Sequence, residues 1–182
     1  MSSRLPPLDD DAWSAEIADM KDGFAGGLNV YRVMAHHPAL LRAWAPLRAH
    51  VVTRAALGPQ LSEVAILRTG HRLGSSYEWH QHIDRARRRG LEDARIASIA
   101  GLLEGMAPVD ALVAGAVDEL MDDHKLSAGT AEALFAKLGK DATLDLIATV
   151  GFYSVLGWIL NSFDVPLDDD IAEALRQHPF AH

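Results

Sequence analysis

The sequence predicts an all-α fold of about eight to ten helices in one domain. Apolar residues recur three or four positions apart in the segments between glycine and proline breaks, which is the spacing of one helix face. Alanine and leucine dominate over β-branched runs, and no segment shows the period-two alternation of a half-buried strand. The chain has 182 residues, of which 49% are hydrophobic, so it is long enough to bury a core as a single domain.

Start and stop signals place the helices along the chain. Aspartates precede the first and last apolar patterns, where the helix dipole favours negative charge. Pro38 and Pro59 stand at first helical positions, and glycines 58, 74, 90 and 139 follow helix ends. The predicted helices cover residues 9–22, 29–36, 38–57, 59–73, 75–89, 91–103, 109–121, 127–138, 141–163 and 168–177.

We predict that residues 1–182 form one domain with two loose ends. Pro6 and Pro7 favour extended backbone, so residues 1–8 are predicted to form a loose N-terminal arm. Residues 178–182, which carry two histidines, are predicted to form a loose tail.

The stretch 144–163 is apolar and about long enough to cross a membrane. However, Asp145 lies near its start, Asn161 near its end and two glycines inside, and no Lys or Arg follows closely. We therefore interpret it as a helix buried in the core or in a subunit interface. The first residues contain no apolar run, so no secretory signal is expected. We expect a cytoplasmic protein without a membrane partner.

Composition excludes two classes of function. The sequence contains no cysteine, which excludes disulfides, thiolate metal sites and thiol redox cycles. The formal net charge is -8, whereas a protein that binds nucleic acid along its surface is expected to be basic.

The stretch 61–90 departs from the ordinary amphipathic pattern because it gathers carboxylates and imidazoles. It contains the residues Glu63, His71, Glu78, His80 and His82. Groups of these two types at helical spacing are what proton transfer or metal binding requires. Glu63 shares a helix face with apolar residues and Gly70, so we expect it to be at least partly buried.

One face of the predicted helix 75–89 carries most of these polar groups, namely Ser75, Glu78, His82, Arg85 and Arg89. Glu78 and His82 are four residues apart, so the carboxylate could orient the imidazole and raise its basicity. Arg85 and Arg89 could bind an anionic group such as a substrate carboxylate. By ideal geometry His80 lies about 160° around the helix from His82, so these two histidines are not expected to bind one metal ion.

Three alternatives remain open for this helix. Ser75 and Glu78 have the spacing of a capping box, in which Glu78 would bond only backbone. Glu63, Glu78 and His82 could also form a buried structural network without catalysis. A metal site on Glu78 and His82 would need a third ligand, such as Glu63.

The run Glu63…Tyr77-Glu78-Trp79…His82, which ends at Gly90-Leu91, resembles the carboxymuconolactone decarboxylase family within the alkyl hydroperoxidase D-like superfamily. Segments 29–44, 117–127 and 146–165 resemble it as well, so the likeness covers nearly the whole chain. The resemblance implies an all-helical fold that assembles into trimers or hexamers. In the hydroperoxidase branch a Glu, a CxxC pair and a His act together. Here Glu63 and His82 match the Glu and the His.

The two cysteine positions of that branch fall on Ser75 and Glu78, so this chain cannot act as a thiol peroxidase. The resemblance is closer to the decarboxylase branch, which works without metal or organic cofactor on a small lactone acid. It therefore implies a lyase with no cofactor and a small carboxylate substrate. We predict His82, Glu63 and Glu78 as catalytic residues. The residues predicted to contact substrate are Arg85, Tyr77 and Ser75.

Overall fold

The computed structural model describes residues 3–180 and confirms a single-domain, all-α fold. Within those residues no strand occurs. Two short 3₁₀ helices lie at Ala15–Ile17 and Leu103–Gly105. The α-helices are α1 (Ala18–Lys21), α2 (Asn29–Met34), α3 (Pro38–Thr53), α4 (Pro59–Arg72), α5 (Ser76–Arg88), α6 (Asp93–Ser98), α7 (Pro108–Asp122), α8 (Ala128–Leu138), α9 (Lys140–Phe163) and α10 (Asp169–Gln177).

Most helix ends follow the signals in the sequence. Ser127 caps α8 by accepting a hydrogen bond from the backbone N–H of Thr130 at 3.2 Å. Gly139 separates α8 from α9 with φ 86°, a left-handed conformation that favours glycine. Pro38 and Pro59 occupy the first turns of α3 and α4.

Three predicted helices are shorter than expected. The first begins only at Ala15, because Ser14 rather than the aspartates before it accepts the first backbone N–H. The helix α3 ends at Thr53, since Asp145 of α9 takes the N–H of Ala56 at 2.6 Å and holds the following segment out of helical geometry. The predicted helix 91–103 breaks after Ser98 into α6 and a separate 3₁₀ helix.

The helix α9 is the centre of the fold, with α2, α3, α4, α5, α7 and α8 packed around it. Trp44 of α3 stacks on Phe152 of α9 with ring centroids 4.5 Å apart. One hydrophobic cluster joins α2, α3 and the C-terminal half of α9, and a second joins α4, α5, α7 and the N-terminal half.

Among the described residues, α9 is also the one helix long and apolar enough to cross a membrane. Core helices of globular proteins pass the same test, and 56% of its most apolar window is buried by other helices. The prediction of a buried helix is confirmed for that part of α9. Its outer face exposes Leu144, Ile147 and Trp158.

Hydrogen bonds join both ends of the described chain to the helices. The backbone carbonyl of Leu8 accepts from Arg32 at 2.7 Å, and Ser3 donates to the carbonyl of Phe163 at 2.5 Å. At the other end Arg87 of α5 donates to the carbonyl of His178 at 2.8 Å. Residues 1, 2, 181 and 182, which belong to the predicted arm and tail, lie outside the described residues.

The close packing of α4 against α5 positions the candidate site. A Cβ atom added to Gly70 of α4 would lie 3.2 Å from Cβ of Glu78 and 3.4 Å from the backbone N of Trp79. Gly74, with φ 60°, then turns the chain back between the two helices. As a result the faces of α4 and α5 that carry Glu63 and His82 lie against each other.

Candidate active site

Glu63 and His82 form a buried hydrogen-bonded pair between α4 and α5. The Nδ1 atom of His82 lies 2.6 Å from Oε2 of Glu63, and their side chains are 3% and 0% exposed. An ionised carboxylate accepts hydrogen bonds only, so Nδ1–H of His82 is the donor. This bond orients the imidazole and leaves Nε2 directed toward Glu78.

Glu78 lies on the opposite side of the same imidazole. Its Oε2 atom is 3.5 Å from Nε2 of His82, slightly beyond hydrogen-bond length, and its Oε1 atom is buried without a partner within residues 3–180. Burial raises the pKa of Glu78 to about 8, opposed by Arg85 and reinforced by the charge of Glu63. Glu78 is therefore a protonated carboxylic acid at neutral pH.

His82 is a neutral base in this arrangement. Burial lowers the pKa of its imidazole, although the neighbouring Glu63 carboxylate acts in the opposite direction. The ring of Tyr153 packs edge-on against it, with centroids 5.0 Å apart. Glu63 and Glu78 thus flank the two ring nitrogens of His82, at 2.6 and 3.5 Å. A proton can pass between Glu78 and His82 when Oε2 and Nε2 come within hydrogen-bond distance.

The capping box predicted for α5 does not form. The backbone N–H of Ser75 donates to the carbonyl of Gly70 at 2.9 Å, so Glu78 does not bond it. The hydroxyl of Ser75 is buried and caps no backbone group. The capping interpretation of Glu78 is therefore wrong, because the turn after α4 supplies the acceptor that the carboxylate would have provided.

Arg89 pairs with Glu63, although the sequence groups it with Arg85 as a possible anion binder. Its Nη1 atom lies 3.0 Å from Oε1 of Glu63, at an angle unsuited to a hydrogen bond, and donates to the carbonyl of Pro59 at 3.1 Å. The guanidinium thus supplies positive charge beside the buried carboxylate.

The predicted substrate-contacting residues lie in three different environments. Arg85 is half-buried on the face of α5 that carries His82, and its guanidinium has no hydrogen bond or ion pair within the described chain. The hydroxyl of Tyr77 donates instead to Asp168 at 2.5 Å, which ties α5 to the start of α10. The aromatic ring of Tyr77 belongs to the core, so its geometry favours a structural role.

Ser75 borders a surface pocket at the first turn of α5, and neither Glu63 nor His82 lines this pocket. The pocket has a volume of about 390 Å³, and its walls include Gly70, His71, Trp79 and His80. His80, which also lines this pocket, bonds the carbonyl of Ser76 at 2.7 Å.

The geometry does not provide the metal site considered from the sequence. Glu63 and Glu78 face opposite nitrogens of the His82 ring, so they cannot bind one ion together with it. In the part of the chain that the structure describes, no three His, Asp or Glu side chains are grouped to hold a metal ion.

Two tyrosines complete the surroundings of the site. Tyr153 of α9 and Tyr31 of α2 are both 3% exposed. Burial raises the pKa of Tyr153 well above its usual value and that of Tyr31 to about 12, so both hydroxyls stay protonated. No local motif marks Tyr31, because it reaches the site only through the packing of α2 on α9.

Residues 38–118 match the model of the Carboxymuconolactone decarboxylase family. The chain matches none of the curated proteins. Among solved structures, an uncharacterized peroxidase-related protein with an alkylhydroperoxidase AhpD core, from Ralstonia eutropha JMP134, is similar. It is 18% identical, with 94% of this chain and 95% of that chain covered, and the TM-score is 0.79.

The debrominase Bmp8, solved as a Cys-to-Ala variant in complex with 2,3,4-tribromopyrrole, is 13% identical. The match covers 97% of this chain and 98% of that chain, with a TM-score of 0.78. A peroxidase-related protein from Silicibacter sp. TM1040 is 10% identical over 93% and 95% of the two chains, with a TM-score of 0.77. At these identities the structures show the fold alone. Residues 38–118 thus match the model of the Carboxymuconolactone decarboxylase family, and the chain, which contains no cysteine, has the all-α fold of these peroxidase-related structures.

Proposed function

We propose that this protein is a carboxymuconolactone decarboxylase-like lyase that acts by proton transfer on a small carboxylated lactone or related acid, without a cofactor. The observation that carries the proposal is the buried line of Glu63, His82 and Glu78. It places a neutral base and a protonated acid side by side, which is the pairing that proton transfer to carbon requires. The family segment at residues 38–118 supports the same class of reaction.

Decarboxylation breaks the bond between the carboxylate and its neighbouring carbon. The electron pair of that bond passes into the adjacent carbonyl system as an enolate, and carbon dioxide leaves. Glu78 then donates its proton to the carbon, and His82 returns a proton to Glu78 from solvent. Glu63 holds the imidazole in the required tautomer and stabilises its positive charge during this step. Arg85, which is half-buried on the same face of α5, anchors the substrate carboxylate in this proposal.

The experiment is a screen of carboxylated lactones for release of carbon dioxide, with wild-type protein and the His82→Ala variant compared. We expect turnover by the wild type and loss of turnover in the variant, with its helical circular dichroism nearly unchanged. Full activity of His82→Ala would overturn the assignment of His82.

A structural role for the same residues is the alternative, and one observation favours it. Glu63, Glu78 and His82 are each at most 3% exposed in the isolated chain, so substrate must reach them through a local opening. In this case His82→Ala would lower the free energy of unfolding while no lactone acid is turned over by the wild type.

We further infer that the chain forms homo-oligomers, trimers or hexamers, in the cytoplasm, with no membrane or nucleic-acid partner. The exposed apolar residues Leu144, Ile147 and Trp158 on α9 support a subunit contact there. Light scattering of the wild type and of Trp158→Glu tests this inference. A monomeric wild type would contradict it.

A further inference from the structure

Arg48 of α3 is held beside the site without a counter-ion. Its guanidinium carbon lies 4.1 Å from the ring centroid of Phe24 and 5.8 Å from that of Tyr31. Its Nε atom is buried and has no hydrogen-bond partner in the described residues. By contrast, the buried guanidinium of Arg68 forms two hydrogen bonds with Asp118, at 2.8 and 2.6 Å. Aromatic rings rather than a carboxylate therefore keep Arg48 in place.

Arg85 approaches the same region from α5. It follows His82 by three residues and Glu78 by seven, so the three side chains share one helix face. Arg85 is half-buried and, like Arg48, forms no ion pair within residues 3–180. Its positive charge opposes the raised pKa of Glu78 and of the two buried tyrosines Tyr31 and Tyr153.

The carboxylates nearby are already used by other partners. Glu63 bonds His82 and lies against Arg89. Asp168 accepts from the hydroxyl of Tyr77 and from the backbone N–H of Asn29, at 2.5 and 2.7 Å. Glu78 is protonated near neutral pH because burial raises its pKa to about 8. Arg48 and Arg85 are thus two half-buried cations that have no carboxylate partner within residues 3–180.

A further buried donor lies on the same side of α3. Trp44 precedes Arg48 by one helical turn, and its Nε1–H has no acceptor within the described chain. Buried polar groups are usually paired, so these two unpaired donors, one helical turn apart on α3, indicate a missing acceptor. A carboxylate has two oxygens that match the planar fork of a guanidinium.

We propose that Arg48 and Arg85, together with Tyr31, form an anion subsite that holds a carboxylate of the substrate next to Glu78. The identification of this anion with substrate rests on the proposed function. The subsite adds Arg48 as a residue that determines specificity, because it would select acids over their uncharged esters.

The test is a calorimetric titration of the full-length protein with γ-butyrolactone γ-carboxylate, its uncharged methyl ester and sodium sulfate. Wild type, Arg48→Gln, Arg48→Lys and Arg54→Gln are compared. Arg54 is a matched control because it is exposed just after α3 and has no side-chain partner among the described residues. We expect Arg48→Gln to weaken binding of the acid about 10- to 100-fold, while Arg54→Gln leaves it unchanged. Ester binding should change in neither variant.

Arg48→Lys keeps the charge and should retain more affinity for the acid than Arg48→Gln, which separates charge from packing on Phe24. Equal binding of acid and ester by the wild type would overturn the subsite. So would an equal loss in Arg54→Gln, unchanged binding in Arg48→Gln, or no binding of acid or sulfate by the wild type. γ-Butyrolactone γ-carboxylate is a binding probe only, because its saturated γ-carbon is not conjugated with the lactone carbonyl. Binding of this acid through Arg48, together with no release of carbon dioxide from any conjugated carboxylated lactone, would leave the subsite standing and contradict the proposed function alone.

Discussion

The Nδ1 atom of His82 lies 2.6 Å from Oε2 of Glu63, across the interface of α4 and α5. This contact decides which imidazole nitrogen carries the proton, and it leaves Nε2 facing Glu78. Because the pair is buried, its geometry depends on the packing of the two helices rather than on solvent.

We predict that His82→Gln lowers the rate of carbon dioxide release from the lactone acid by at least about 100-fold. Glutamine retains polarity but cannot take up a proton. His80→Gln is the matched control, since His80 lies on the same helix and, within residues 3–180, bonds only Ser76. Steady-state kinetics of the two variants test the prediction, and equal rates would contradict it.

Glu63→Gln is expected to lower the free energy of unfolding by about 1–3 kcal/mol. The amide can still accept from His82, but Arg89 loses the negative charge that lies 3.0 Å away. Chemical denaturation measures the change. Glu132→Gln on the exposed side of α8 should stay within about 0.5 kcal/mol of the wild type. A loss of the same size in both variants would show that Glu63, although buried beside His82 and Arg89, contributes no more to stability than an exposed glutamate.

Glu78 should make the stability of the protein depend on pH. Its pKa is about 8 in the folded state against 4.5 for a free glutamate, so between these values the folded state holds a proton that the unfolded state releases. The free energy of unfolding therefore falls as pH rises through this window. The slope is at most about 1.4 kcal/mol per pH unit.

Glu78→Gln removes this ionisable group, so the contribution that lowers the free energy of unfolding as pH rises should disappear. Urea unfolding of both proteins at about pH 5, 6.5 and 8.5 tests the prediction, because the variant should gain stability relative to the wild type as pH rises. The lowered pKa of His82 is present in both proteins, so its contribution largely cancels in the difference. A constant difference across this range would refute the raised pKa of Glu78.

Gly70→Ala should destabilise the fold by about 1–2 kcal/mol, although alanine is the better helix former. The new methyl group would lie 3.2 Å from Cβ of Glu78 and 3.4 Å from backbone, so α4 and α5 must separate. Gly129→Ala in α8 is the control, because no atom lies within 4 Å of its added Cβ. That variant should be unchanged or more stable by up to about 1 kcal/mol in thermal or chemical unfolding.

Much of the fold follows from local sequence. Helical periodicity, the cap at Ser127 and the stop at Gly139 act over a few residues, and each is found where the sequence predicts it. The placement of Glu78 one turn before His82 is equally local, since it depends only on helix geometry. Glu63 also stands out locally, as a carboxylate on an apolar helix face, and the resemblance carried by residues 63–91 matches it to a site residue.

Tertiary packing decided the rest, because it depends on residues far apart in the chain. The carbonyl of Gly70, not Glu78, satisfies the backbone of Ser75, and this frees the Glu78 carboxyl for the site. Arg85 and Arg89 look alike in the sequence, yet only Arg89 reaches Glu63. Arg48 comes to Tyr31 through the packing of α2 and α3, which no spacing along one helix can encode. The sequence by itself thus determined the helices and the pairing of Glu78 with His82 on one helix face. The contacts between helices determined which of these groups are buried, paired and protonated.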